Sequence, residues 1–191
     1  VLEKGCVYLV PLQESLALAA DITAAANAKS SSGRLDLFTR LIADQGVEFD
    51  RIEAGYHGPL YAEISPRSFS VLVRAGDRLN QIRFRRGEGM MDDADLRALH
   101  AREHLVDVEA RIDQGLAFSV DLKPKDEAPV GWRARPHAGL IDLSRIAAYD
   151  PAEFWEPVVP RPRGATLLAP GASSRCPRSP PYRPHHAHLR V

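Results

Sequence analysis

"GPLYAEIS", Gly58 to Ser65, carries the plainest structural signal in the chain. After a Gly-Pro opening, Leu60, Ala62 and Ile64 alternate with Tyr61, Glu63 and Ser65, the period-two pattern of a half-buried strand. The neighbouring segments agree with it. "CVYLVPL" (Cys6–Leu12) is an apolar run of strand length, and "FSVLVRAGDRLNQIRF" (Phe69–Phe84) reads as two strands about an Ala-Gly-Asp turn. Glycines and prolines recur roughly every eight to twelve residues up to Ile82, the spacing of a sandwich or barrel. "PLQESLALAADITAAANAKSS" (Pro11–Ser31) is rich in alanine, but Asp21 and Thr23 interrupt a 3.6-residue period, so it reads as strand and connection. A mainly β core is expected.

One helix interrupts it. "MDDADLRALHAREHL" (Met91–Leu105) offers Asp92 or Asp93 as a cap and places Leu96, Leu99 and His100 on one face. Strand-like patterns resume at "GLAFSVDLKP" (Gly115–Pro124) and continue through "GWRARPHAGLIDLSRIAAYDPAEFWEPV" (Gly131–Val158). Residues 1–112 are therefore expected to form one module, 113–164 the start of a second, and 165–191 a disordered or non-native tail. That tail holds five prolines, four arginines, three histidines and no acid, a composition that cannot bury enough apolar surface to order itself.

Composition narrows the functional classes. The 191 residues are 45% hydrophobic and 26% charged, as in ordinary globular proteins. No window approaches the roughly 18 uninterrupted apolar residues of a membrane span, and no basic-then-apolar leader opens the chain, so a cytoplasmic location is expected. Cys6 and Cys176 are far apart and outside any CxxC spacing, which excludes a disulfide framework; Cys6 reads as a small core residue. All 25 acids fall at or before Glu156, while six arginines follow it. A body this mildly acidic argues against broad nucleic-acid binding, so any phosphate site is local.

"KSSSGR", Lys29 to Arg34, is the candidate for such a site. Hydroxyls and backbone N–H groups in a turn, between two cations, suit a phosphate chain; a solvated polar loop has the same composition. The spacing is neither that of a Walker loop nor of a dinucleotide fingerprint. Glu63 is the second candidate. A carboxylate within an apolar strand has to be paired, hydrogen-bonded or protonated, so it reads either as a general base or as half of a structural ion pair, with Arg34 as one partner. Gln81, in an alternating strand, can donate to a phosphate or cap a neighbouring backbone. "HAREH" (His100–His104) matches the inverted zinc-protease motif on the expected helix with both imidazoles on one face, but no third ligand is evident and a solvated helix is expected. His57 reads as a turn residue, and "PHHAHLR" as an incidental histidine cluster.

Taken together, "KSSSGRL", "FDRIEAGYHGPLYAEIS" and "RAGDRLNQIRF" stand in the order and spacing of the dCTP deaminase branch of the dUTPase-like superfamily, and the chain resembles the two-module bacterial 2′-deoxycytidine 5′-triphosphate deaminases over residues 1–164. The resemblance implies a dUTPase-like distorted β-barrel (a jelly-roll-like β-clip), with sites built where subunits or modules meet, usually in a trimer. It implies conversion of dCTP to dUTP and ammonia with Glu63 as general base. Ser30 and Ser31 would contact phosphate and help hold the reacting water, Lys29 would stand in for a basic residue, and Arg34 would sit beside the carboxylate and the base. Tyr61 and Ala62 would lie along the pyrimidine with backbone groups reading its edge, Glu53 would face the deoxyribose, and Gln81 would reach the phosphates.

No metal is required to activate water, since the H-x-E and P-C-x-x-C elements of zinc deaminases are lacking; Mg2+ is expected only as a companion of the triphosphate. Two other readings stay open: a dUTP pyrophosphatase, and a non-catalytic nucleotide-binding or assembly module of the same fold. The family pattern also leads one to expect missing N-terminal strands and no counterpart to the substrate-covering C-terminal segment. The 28 residues between Arg34 and Glu63 suggest that the loop "TRLIADQGVEF" (Thr39–Phe49) reshapes the site.

Overall fold

The computed structural model describes residues 1–87, 91–119 and 129–159, together with the backbone of 174–175. In chain order the elements are β1 (Tyr8–Ala17), β2 (Ile22–Ala28), α1 (Ser30–Arg34), β3 (Leu37–Ala43), β4 (Arg51–Ile52), β5 (His57–Pro66), β6 (Val71–Leu72) and β7 (Asn80–Arg86). There follow α2 (Asp93–Glu103), β8 (Gly131–Ala134), β9 (Ile141–Asp142), α3 (Pro151–Phe154), β10 (Trp155–Val158) and β11 (Ser174–Arg175). The chain is mainly β, as its alternation implies. Its strands form three three-stranded ladders and one pair, with no closed barrel among the described residues.

β5, the stretch read first, is the centre of the sheet β1-β5-β3, antiparallel to both neighbours. Leu60, Ala62 and Ile64 are buried on one face, and Leu37, Thr39, Leu41 and Ala43 of β3 join them there. Tyr61 and Glu63 face the other way. β2 is the centre of a second antiparallel sheet with β4 and β7, contributing the small buried side chains of Ala24 and Ala26. The alanine-rich segment is thus strand and connection, as its broken helical period suggests.

Two apolar clusters hold the chain together. One gathers Leu18, Ala24, Ala26, Leu41, Ala43, Ile52 and Leu60 between the two sheets. The other joins Leu2, Leu37, Ala62, Ile64, Phe69 and Val71 to Ala134, Ile141 and Phe154 from much later in the chain. Phe69 sits edge-on to Phe154 and Trp155, with ring centroids 5.4 and 5.2 Å away. Burying one such ring stabilises the fold by roughly 1.5–3 kcal/mol, so the late segment is integral to the core.

Several expectations are corrected. Phe69–Phe84 does contain two strands, but they are not a hairpin: β6 pairs in parallel with β9, and β7 pairs with β2. The serine run is a helix, and α3 is a third one, so α2 does not stand alone. "TRLIADQGVEF" is only half loop, since Thr39 to Ala43 belong to β3. Cys6 is exposed rather than buried, because the segment before β1 runs along the surface.

α2 forms where the capping pattern places it. Asp92 accepts a hydrogen bond from the Asp95 amide, and none of its residues is buried. His104 lies past its end in a left-handed conformation, and His100 Nδ1 accepts from the Leu105 amide. The two imidazoles still lie side by side, with ring centroids 6.1 Å apart, but no group of three or more metal-ligating side chains occurs among the described residues. Of "GLAFSVDLKP", residues 115–119 form no strand beyond an isolated bridge at Leu116, and the rest lies outside the described residues. Of the tail, only the backbone of Ser174–Arg175 is described, paired with β8; its histidine cluster lies outside. No helix among the described residues is long and apolar enough to cross a membrane.

Candidate functional site

Serine and glycine are poor helix formers, so α1 owes its shape to tertiary contacts. The Gly33 amide donates to Lys29 O (2.9 Å) and the Leu35 amide to Ser32 O (3.0 Å). Ser32 is 3% exposed, and its hydroxyl donates to Leu79 O, which also accepts from the Lys29 amide. Ser32 is thus the serine that anchors the helix. Ser30 and Ser31 stay exposed, and Arg34 Nε donates back to Ser30 O (3.2 Å).

Lys29, Ser31 and Arg34 line a cavity of about 430 Å³. Its second wall is the turn carrying Asp77 and Arg78, which flanks Leu79. The third is the segment after β9, with Asp142, Arg145 and Tyr149. A clamp fixes that segment. Arg74 donates through both terminal nitrogens to the Asp142 carboxylate (2.6 and 2.9 Å), and Ser144 adds a hydroxyl and an amide donor. Hydrogen bonds from Arg74, then from Ser144, hold the Asp142 carboxyl well below the usual carboxylate range, and the same contact raises Arg74.

Glu63 stands elsewhere, on the outer face of β5. Its partner is Arg40, directly opposite on β3, whose Nη2 lies 2.6 Å from Glu63 Oε1. Arg40 rather than Arg34 therefore makes the ion pair that the strand carboxylate requires. The residues after β3 fold back so that Phe49 packs beneath Arg40, with the guanidinium carbon 3.6 Å from the ring centroid. Around the pair, Leu9, Phe38 and Phe49 are exposed apolar side chains. At the head of β5, exposed His57 is a strand residue rather than part of the turn. Gly58 lies against Tyr56, whose hydroxyl donates to Pro59 O and accepts from the Asp44 amide.

The remaining candidates are dispersed. Ala62 is 1% exposed and its side chain is core, while Tyr61 is half-buried beside Glu63. The β1–β5 register breaks between Pro11 and Ser15, just beyond Tyr61. Glu53 is exposed and paired with Arg51 at 3.0 Å. Gln81 Nε2 donates to Asn27 Oδ1 (3.1 Å) on β2. No hydrogen bond or ion pair among the described residues joins Glu63 or Gln81 to the cavity around α1. Arg40, Arg78 and Arg145 escape sequence reading, because each acquires its surroundings from a strand register or a crossover that local patterns do not encode.

Strand-rich sheets, a Lys-Ser-Ser-Ser-Gly-Arg wall and a carboxylate on a central strand place the chain among mainly β, dUTPase-like folds. Within that class it belongs to the dCTP deaminase family. The model of the 2′-deoxycytidine 5′-triphosphate deaminase N-terminal domain matches residues 1–88, and that of the C-terminal domain matches residues 92–173. A crystal structure of 2′-deoxycytidine 5′-triphosphate deaminase from Agrobacterium tumefaciens superposes with a TM-score of 0.82 at 48% identity, covering 90% of this chain. The chain spans 52% of the length of that protein. No curated protein matches.

Proposed function

We propose that this chain carries the deaminating half-sites of a cytosolic, homotrimeric enzyme of pyrimidine deoxynucleotide metabolism that converts dCTP and water to dUTP and ammonia. The observation that carries the reading is Glu63: a half-buried carboxylate on the central strand, fixed by Arg40 and open on the outer face, within a chain whose two domains match this family. The Glu63 carboxylate takes a proton from water as the oxygen attacks C4 of cytosine. It then passes that proton to the amino nitrogen, the second water proton goes to N3 of the ring, and ammonia leaves as the C4 carbonyl forms. Ser30 and Ser31 hold phosphate and the reacting water, Lys29 and Gln81 reach the phosphates, and Arg34 sits beside the base. The Tyr61 and Ala62 backbone reads the pyrimidine edge where the β1 register opens, and Glu53 faces the sugar.

Among the described residues no hydrogen bond or ion pair joins Glu63 to the α1 cavity, and on this reading a second copy of the chain completes the site. The apolar side chains exposed around the Glu63–Arg40 pair suit burial in such an assembly. The test is incubation of the protein with dCTP and, separately, with dUTP. Ammonia released from dCTP is the expected result. Pyrophosphate released from dUTP would instead make it a dUTP pyrophosphatase, and no turnover of either would leave a nucleotide-binding module.

A further inference from the structure

The cavity beside α1 holds four cationic side chains drawn from three separated parts of the chain: Lys29 and Arg34, Arg78, and Arg145. Its two carboxylates are already engaged, since Asp142 is taken by Arg74 and Asp77 accepts from the Arg74 amide at 2.7 Å. The cations are not. Among the described residues, the side chains of Lys29 and Arg78 make no hydrogen bond or ion pair, that of Arg34 reaches only the Ser30 carbonyl, and that of Arg145 only the Tyr149 ring at 5.0 Å. Like charges gathered around one cavity repel each other until an anion joins them, and guanidinium forks suit phosphate oxygens.

Arg145 is also held in place. The Arg145 amide donates to Asp142 O (3.1 Å), the Asp142 amide to the Tyr149 hydroxyl (2.8 Å), and the Leu143 amide to Leu72 O (3.2 Å). The loop is therefore closed on itself and tied to β6. Arg74 both anchors it and neutralises Asp142, one of the two carboxylates at the cavity.

We infer that the loop following β9 is a phosphate-binding wall, with Arg145 and Arg78 taking the outer phosphates of the nucleoside triphosphate and so setting preference for a triphosphate over a monophosphate. The inference rests on the nucleotide reading above and adds to it a contribution from the C-terminal domain. Arg74 and Asp142 are positioning residues for that wall.

The experiment titrates the full chain with dCTP, dCMP and inorganic tripolyphosphate by calorimetry, for the parent, Arg145→Gln, Arg78→Gln and the control Arg97→Gln on α2, with ammonia release measured in parallel. Each of the first two variants is expected to weaken dCTP and tripolyphosphate about tenfold, the scale of one charge-assisted hydrogen bond, with dCMP and the control unchanged within about twofold. Unchanged dCTP and tripolyphosphate affinities in both variants, or a parent chain that does not bind tripolyphosphate, would overturn it. Loss of tripolyphosphate binding in the variants of a chain that releases no ammonia would support the cavity while removing the deaminase reading.

Discussion

The two places where candidate residues gather are built on opposite principles. Around Glu63 the charge is satisfied: the carboxylate sits on a central strand, opposite a single arginine that is itself stacked on Phe49. Around α1 the charge is left open, with cations facing a cavity and the acids already occupied. A strand register holds one group to a fraction of an ångström and suits proton transfer, whereas loops carrying unpaired cations suit capture of an anion. On the proposed reading, chemistry and substrate binding are separable in this fold.

Substituting Glu63→Gln is the strongest way to break that contrast. Turnover of dCTP should fall by at least about 10²-fold, the scale of a lost general base, while tripolyphosphate affinity measured by calorimetry stays within about twofold. A parallel loss of tripolyphosphate binding would show that the two places are one.

Next in size is Gly58→Ala. A Cβ there would lie 2.7 Å from the Tyr56 hydroxyl and push it out of both its hydrogen bonds. The cost is about 1–3 kcal/mol in denaturant unfolding, felt at the Glu63 strand rather than at the cavity. A stability equal to the parent's would show that Tyr56 relaxes freely.

Ser32→Ala should cost about 1 kcal/mol by the same measurement, because Leu79 O keeps only the Lys29 amide as donor. Ser31→Ala should leave stability unchanged and lower dCTP affinity. The reverse ranking would undo the assignment of the buried serine to the frame.

The smallest effect is a pH dependence. The folded-state pKa of Asp142 is depressed, so its clamp contributes fully above the unfolded value of about 3.8 and is lost only as pH falls below that, toward the lower folded value. The difference in melting temperature between the parent and Asp142→Asn should stay constant from pH 7 to about 5 and shrink below about 4. A difference that vanishes near pH 6 would exclude the carboxylate as its source.

Much of the β architecture is legible because alternation and turn residues are local. β5, β2 and the capped α2 follow from neighbours within a few positions. α1 does not, since its residues favour turns and the Leu79 carbonyl that anchors Ser32 lies 47 positions away. The pairing of β6 with β9 is equally invisible, for two residues of strand carry no signal of their partner. At the candidate site, a carboxylate in an apolar strand advertises its need for a counter-charge. Which arginine answers depends on the β3–β5 register, and that register selects Arg40. Cys6 shows the converse failure: an apolar neighbourhood in sequence does not guarantee an interior position in space.

The cluster joining Leu2, Phe69 and Val71 to Ala134, Ile141 and Phe154 has a consequence for how the chain can be divided. The family boundary between residues 88 and 92 is a seam of ancestry, not of cooperativity. A recombinant fragment stopped there would leave the inner faces of β5 and β6 without their cover and would be prone to self-association. The early sheet and the late segment share one apolar cluster, so on the proposed reading nucleotide held by the late loop would also stabilise the early sheet.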